Sequence, residues 1–353
     1  MHDLIIVGGS VAGLSLARQL PELNILMLED GQIGKPVQCS GLYSTNIEKF
    51  IPKNALEEMT EHTVSSAILH SPSGKTITLK KDKTAAYVIN REKLDLFLRK
   101  QCTGEVKENE KCTGVSFFAD RVEVATQKAV YAAKMVSGCD GPRSIIGRTL
   151  GAAPKETING IIAITREKNT DPFVELWFDK LLLKDGFFWK VPRGNSCEYG
   201  AFSSDATYAK LETFFSINNY EKRAGVIPFG PPQTVFDRAI LIGDAAAQVK
   251  PWSGGGVVYA MTAAEIAAGV IKKAVKENNF SEKTLSAYEQ QWKKSFGKKI
   301  ALGMRGRGLF QKMSNGQIDR LFAVAQKLPL NSLDMDFPDL GFAQKLLPFF
   351  RKA

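Results

Sequence analysis

The segment Asp3 to Glu29, DLIIVGGSVAGLSLARQLPELNILMLE, constrains this chain more than any other. Leu4 to Val7 is a short, continuous apolar run, the pattern of a strand buried on both faces of a parallel sheet. It enters Gly8-Gly9-Ser10-Val11-Ala12-Gly13, and a helical stretch then continues to Leu20, where Pro21 ends it. Asn24 to Leu28 reads as a second buried strand, with Glu29 at its carboxyl end. A βαβ unit of this kind binds a dinucleotide. Its glycines permit a tight turn and close backbone approach, its helix N-terminus faces a pyrophosphate, and the acid about twenty residues on accepts a ribose hydroxyl. Ser10 stands where the middle glycine is usual, adding a hydroxyl and taking some backbone room.

The 353 residues suffice for two or three domains with a sizeable core, and a 44% hydrophobic content with mixed charges describes a soluble globular protein. His2, His62 and His70 lie outside any acid-flanked cluster, so no metal site is expected. Cys39, Cys102, Cys112, Cys139 and Cys197 form no CxxC pair and are odd in number, which speaks against a disulfide framework and for a reducing, cytoplasmic setting. The first strand starts too early for a signal peptide to precede it. The longest apolar run, Val257 to Ile271, is interrupted by Glu265 and rich in small residues, so it reads as a packed helix and not a membrane span. The net charge of +10 suits an anionic lipid surface or a phosphate-bearing substrate. Nucleic acid is not expected as a partner, because the lysines are scattered without an aromatic-basic recognition motif.

Beyond Glu29, the loop Ile33 to Leu42 carries Cys39 and Gly41, and Tyr43 to Met59 reads as polar and helical. Val64 to Leu79 has the form of a hairpin turning at Ser71-Pro72-Ser73-Gly74. A strand ending at Arg91 feeds the helix Glu92 to Cys102, and Val106 to Thr126 alternates like a small antiparallel sheet. Lys134 to Ser137 is a strand running into Cys139-Asp140-Gly141-Pro142-Arg143-Ser144. Ile158 to Ile164, Phe173 to Phe178, Gly186 to Val191 and Cys197 to Phe202 read as four strands of an aromatic-rich antiparallel sheet. Within the third, alternation sets Phe187, Trp189 and Val191 on one face and Phe188 on the other. Tyr208 to Ile217 is a helix, and at Ala239 the buried-strand pattern returns and runs into Gly243-Asp244-Ala245-Ala246. The turn Ser253-Gly254-Gly255-Gly256 opens a helix to about Lys276, and Leu285 to Leu302 is a further helix. The expected division is a discontinuous cofactor domain (1–62, 84–152, 226–278), a substrate sheet (63–83, 153–225) and a helical region (279–353).

Three signatures in this order are far more specific than any one. Together the glycine fingerprint, the Asp140-Gly141 turn and Gly243-Asp244 resemble the FAD-dependent oxidoreductases of the p-hydroxybenzoate hydroxylase fold: an α/β, Rossmann-type domain with an inserted antiparallel sheet. That resemblance implies an FAD site of Gly8, Ser10, Ala12, Gly13, Glu29, Cys39, Arg91, Asp140, Gly141, Asp244, Gly254, Gly255 and Gly256. Asp244 would hold the ribityl chain, and the three glycines would set backbone N–H groups near the flavin pyrimidine. Within the fold, the chain is similar to geranylgeranyl reductases, above all the archaeal enzymes that saturate isoprenoid chains of ether lipids. The loop from Ile33 to Gly41 matches their Cys-x-Gly segment. Gly186-Phe187-Phe188-Trp189-Lys190-Val191-Pro192 followed by Gly200 matches their aromatic-x-Trp-x-Phe-Pro…Gly signature, with Val191 for the usual phenylalanine and Phe187 for a common tyrosine.

The family resemblance implies an FAD-dependent reductase that saturates isolated C=C bonds of geranylgeranyl chains, in lipids or prenyl diphosphates, by hydride from flavin N5 plus a proton. Such a reaction needs placement of the alkene, a proton source, and apolar or aromatic faces around the carbon that gains positive charge. Cys39, Gly41, Phe187 and Trp189 are the candidate catalytic residues, with Cys39 either donating the proton or shaping the pocket. The electron donor stays open between ferredoxin, a deazaflavin and NAD(P)H. The apolar, cation-flanked tail Gly341 to Lys352 is a candidate for peripheral membrane contact. Two other readings share these features: a flavin monooxygenase or epoxidase of an apolar substrate, and a non-catalytic prenyl chaperone of the same fold.

Overall fold

The computed structural model describes residues 1–328, 330 and 334–336 of the chain. The tail from 341 to 352, the candidate for membrane contact, lies outside the described residues.

Two compact units divide the chain. The first comprises Met1–Val37, Glu92–Thr157 and Ile227–Ala301. Its centre is a sheet in which Ala239–Leu241, Val130–Gly138, His2–Val7, Ile25–Leu28 and Glu105–Lys107 lie side by side, with Val235–Phe236 at the outer edge. The pairs among the first five are parallel, so their carboxyl ends share one edge of the sheet. Leu4, Ile5, Ile6, Leu26 and Met27 are fully buried, as a strand covered on both faces requires. The helix Val257–Glu277 packs against the helix Val11–Ala17. Ala260, Ala263, Ala264 and Ala267 are all buried, and such small side chains let two backbones approach closely. On the other side, Val130–Gly138 changes partners along its length: residues 130–133 pair antiparallel with Val122–Thr126, and 136–138 pair parallel with Ala239–Leu241.

The second unit comprises Gln38–Arg91, Ile158–Val226 and Leu302–Ala353. Its seven-stranded sheet runs Glu221–Phe229, Glu156–Thr165, Cys197–Ser203, Phe187–Pro192, Phe173–Trp177, Ser66–His70 and Thr76–Lys80. The four strands read from the sequence are all present, and the hairpin of residues 66–80 continues the same sheet through a parallel pairing with Phe173–Trp177. Alternation along Phe187–Pro192 holds as expected. Phe188 stacks on Phe214 of the helix Tyr208–Phe215 at 4.3 Å, whereas Trp189 and Val191 pack with Val64, Val174 and Leu176 on the opposite face. A small sheet of Leu42–Ser44, Ala86–Ile89 and Thr60–Val64 completes the unit.

Two local expectations are corrected, and one strand is added. Residues 43–59 are not one helix but a strand end, a 3₁₀ turn (Thr45–Lys49) and a short helix (Lys53–Met59), because Pro52 restarts the chain at the helix's N-cap. Glu105–Lys107 is a parallel edge strand beside Ile25–Leu28 and not part of the antiparallel meander. The strand Glu221–Phe229 escaped the sequence reading, since its first residues are charged and exposed where an edge strand permits it.

Candidate functional site

In the first unit, four neighbouring parallel strands each deliver a turn to the same edge of the sheet. Val7 leads to Gly8, Leu28 to Glu29, Gly138 to Asp140 and Leu241 to Gly243-Asp244. This is the edge at which open α/β sheets bind their ligands. The turns touch one another. Gly8 has φ +106°, and a Cβ there would lie 2.3 Å from the Cys139 carbonyl oxygen, so only glycine fits. A Cβ on Gly13 would meet the Gly8 carbonyl oxygen at 2.0 Å. One at Gly243 would sit 3.0 Å from Ala12 Cβ, and one at Gly256 would sit 3.2 Å from Asp244 Oδ1. Gly256 therefore lies against Asp244, with Gly254 (φ +72°) and Gly255 in the turn leading to it, and Gly141, with φ +75°, closes the turn after Asp140.

Glu29 accepts hydrogen bonds from the Gly9 N–H at 2.6 Å and the Gly31 N–H at 3.1 Å, which fixes its carboxylate beside the glycine loop. Asp140 Oδ2 accepts from the Ile145 N–H at 2.7 Å, while Oδ1 is buried without a hydrogen-bond partner. Burial pushes the Asp140 carboxyl above the usual range. A buried oxygen left unsatisfied is costly, and a donor from a ligand relieves it. Ser253 Oγ, next to the triple glycine, is likewise buried and unpartnered. Small residues that leave a backbone cradle, an acid fixed at a strand end and orphaned acceptors fit the pyrophosphate and sugars of a dinucleotide. Sequence reasoning missed the support beneath Asp244. Gln248 Oε1 accepts from the Gly243 N–H and Nε2 donates to Tyr288 Oη, which donates to the Leu241 carbonyl. All three bonds are buried. Tyr288 lies forty residues downstream on another helix, with no local signal to mark it.

The second unit holds Cys39, Gly41, Arg91, Phe187 and Trp189. Cys39 is half-buried, and Cys102, Cys112, Cys139 and Cys197 are buried. Its Sγ accepts the Gly41 N–H and lies 3.4 Å from Tyr43 Oη. Gly41 has φ +76°, and a Cβ there would lie 2.2 Å from the Ile89 carbonyl oxygen, so the Cys39 loop closes tightly on the strand Ala86–Ile89. Arg91 opens the helix Arg91–Arg99 just after that strand. Trp189 lies opposite Gly200, where a Cβ would meet the indole at 2.0 Å, so the absence of a side chain at Gly200 gives the ring room directly against the neighbouring strand. Phe187 is 7% exposed, with Phe202, Phe178 and Trp189 at ring separations of 5.3, 5.5 and 6.1 Å.

A chain of hydrogen bonds that sequence reasoning did not find links this loop to the tryptophan. Trp189 Nε1 donates to Glu198 Oε1 at 2.8 Å, and Arg193 Nη1 donates to Glu198 Oε2 at 2.9 Å and to the Ser40 carbonyl at 2.5 Å. Arg193 Nη2 donates to Glu61 Oε2 at 2.5 Å. One signal was present: Glu198 is a lone charge in the apolar strand Cys197–Ser203. Among the described residues, no helix is long and apolar enough to cross a membrane, and no cluster of three or more His, Cys, Asp or Glu residues is placed to hold a metal ion.

Comparison with known proteins agrees with this architecture. The halogenase PltM, solved in complex with phloroglucinol and FAD, superposes at a TM-score of 0.69 with 15% identity over 100% of this chain and 84% of its own. The fold is thus that of the FAD-dependent oxidoreductases of the p-hydroxybenzoate hydroxylase type. A geranylgeranyl bacteriochlorophyll reductase-like protein from Thermoplasma acidophilum superposes at 0.87, with 21% identity over 99% of this chain and 98% of its own. In sequence, the digeranylgeranylglycerophospholipid reductase of Methanocaldococcus jannaschii is 28% identical over 95% of this chain and 93% of its own length. The model of the lycopene cyclase protein family matches residues 3–156. Over nearly its whole length the chain is similar in sequence to a protein named as a digeranylgeranylglycerophospholipid reductase, and in fold to one named as geranylgeranyl bacteriochlorophyll reductase-like.

Proposed function

We propose that this protein is an FAD-dependent reductase that saturates isolated C=C bonds of geranylgeranyl chains carried on glycerophospholipids. The convergence of four turns at one sheet edge, with the orphaned Asp140 oxygen among them, carries the cofactor half of this reading. Near-full-length similarity to a named reductase supports the reaction class. Gly8, Ser10, Ala12, Gly13 and Glu29 would hold the adenosine and pyrophosphate end. Asp140, Gly141, Asp244 and Gly254 to Gly256 would hold the rest, and Cys39 and Arg91 keep their assignment to FAD on the family resemblance alone. When bound and reduced, FAD supplies the reducing equivalents for the alkene.

The chain's own residues supply what an unactivated alkene lacks. The Cys39 thiol is the accessible sulfur of the five and holds a transferable proton. Its hydrogen bonds to Gly41 and Tyr43 hold it in one orientation. Trp189 and Phe187 offer π-faces to a carbon acquiring positive charge and apolar surface that excludes water. Gly41 keeps the loop close to its supporting strand, so that the thiol is held by backbone. The electron donor and peripheral membrane contact belong to the same proposal: a basic protein acting on a lipid takes electrons from ferredoxin, a deazaflavin or NAD(P)H at the membrane face.

The test is anaerobic incubation of the FAD-loaded protein with dithionite and a geranylgeranylated glycerophospholipid, read by mass spectrometry. Products heavier by two-hydrogen increments support the reading. Unchanged lipid overturns it, and product that appears only with oxygen and gains oxygen mass turns the assignment to a monooxygenase. A protein that purifies colourless and takes up no flavin turns it to a carrier of prenyl chains.

A further inference from the structure

The buried charges behind Trp189 do something that packing does not require. Glu198 is fully buried and Arg193 is 6% exposed, on a face otherwise packed with Val64, Val174, Leu176 and Val191. Replacing buried ion pairs by apolar residues of similar volume is often neutral or stabilising, because moving ions out of water is expensive. Burial works against the Arg193 charge, but Glu198 and Glu61 outweigh it and hold its pKa above the ordinary value. Two carboxylates share one guanidinium, and a third of its five N–H donors goes to a backbone carbonyl in the Cys39 loop. The planar fork of arginine sets its donors in fixed, widely spaced directions, whereas the three donors of a lysine ammonium rotate together about one nitrogen on a flexible stem.

We propose that Arg193 is a positioning residue that locks the Cys39 loop and the Trp189 indole into one rigid arrangement, through the Ser40 carbonyl on one side and Glu198 on the other. The inference deepens the proposed function and rests on it for the meaning of that arrangement, since the thiol and the indole are the groups assigned to the alkene. The logic is short. Cys39 and Trp189 lie in segments 150 residues apart in sequence, and a proton donor and a π-face are useful together only at a fixed spacing. Ser40 follows Cys39 directly, so its carbonyl orients the peptide that carries the thiol. Gly41, already tight against Ile89, leaves that peptide little freedom once the carbonyl is bound.

The test compares Arg193→Met and Arg193→Lys with the unaltered protein, each FAD-loaded, oxidised and free of lipid. The first readout is the rate of Cys39 alkylation by iodoacetamide, followed by peptide mass spectrometry. The other thiols are buried, and burial pushes Cys112 and Cys197 up to about 11 and Cys139 up to about 12, so they react slowly and serve as internal controls. Release of the loop is expected to speed Cys39 alkylation about tenfold in both variants. The second readout is thermal melting. The lysine variant keeps the charge balance and is expected to restore melting toward that of the unaltered protein while leaving the thiol fast, which a purely structural ion pair would not do. Should Arg193→Met fail to fold, the lysine variant alone decides. Alkylation within twofold of the unaltered rate, or full recovery of that rate by lysine, overturns the proposal. Because no lipid is present, failure of the reductase assay leaves this result standing, and a negative result here leaves the reductase assay standing.

Discussion

The two candidate regions are built in opposite ways. The turn cluster of the first unit is made of backbone: glycines and alanines withdraw side chains so that N–H groups and a few acids line an edge of the sheet. The region around Cys39 and Trp189 in the second unit is made of side chains, held by a buried hydrogen-bond chain through Arg193 and Glu198. A backbone site depends on space, so its failures come from added atoms. A side-chain site depends on functional groups, so its failures come from removed ones.

The largest effect is expected from removing one. Cys39→Ala takes away the accessible thiol and is expected to lower turnover about 10²–10⁴-fold, the range of a lost general acid. Flavin should still co-purify with the protein, because the cradle of the first unit, to which most of the cofactor contacts are assigned, is untouched. Unchanged turnover would show that the second region is packing alone, and the contrast with the first would lose its functional meaning.

Adding one atom should break the other region. Gly13→Ala places a methyl 2.0 Å from the Gly8 carbonyl oxygen, within the backbone that forms the cradle. Relief requires the turn to move, at a cost of about 1–3 kcal/mol. The expected outcome is substoichiometric flavin per protein and a lower melting temperature, with the second unit's hydrogen bonds intact. A variant that melts and binds flavin like the parent would mean that the turn tolerates displacement.

The same contrast explains what could be read in the sequence. A backbone site leaves a record in spacing, because glycine is demanded wherever the chain turns left-handed or a neighbour comes too close. Gly8, Gly13 and the Asp140-Gly141 and Gly243-Asp244 pairs could therefore be found, and their strands are adjacent and parallel as their apolar runs implied. Gly200 was legible only through the family signature, and the structure supplies the reason: it lies opposite Trp189, where a Cβ would meet the indole. Side-chain support leaves almost none. Arg193 reads as a turn cation after Pro192 until the fold buries it, and Tyr288 reaches Leu241 from a helix whose pattern reports only its own core face. The parallel pairing that joins Ser66–His70 to Phe173–Trp177 is also beyond local pattern, since a hundred residues separate the two strands.

A smaller effect tests whether the cradle sacrifices stability for binding. Burial raises the Asp140 carboxyl, and its Oδ1 has no partner in the protein. The folded chain without FAD thus holds this proton more tightly than the unfolded chain does. That contribution to stability is fully present below the unfolded pKa and is lost as pH rises through the folded pKa. Asp140→Asn has no such titration. In FAD-stripped protein the two forms should lie closest in melting temperature below the unfolded carboxyl's pKa, with the asparagine variant gaining stability relative to the parent as pH rises toward neutral. Taking the difference between the forms cancels every other carboxylate. Binding should run the other way, with the variant weaker for FAD, because asparagine lacks the carboxylate's second acceptor oxygen. Parallel melting curves across this range would mean that Oδ1 is solvated in the free protein. The first region would then resemble the second, a site whose polar groups are satisfied before any ligand arrives.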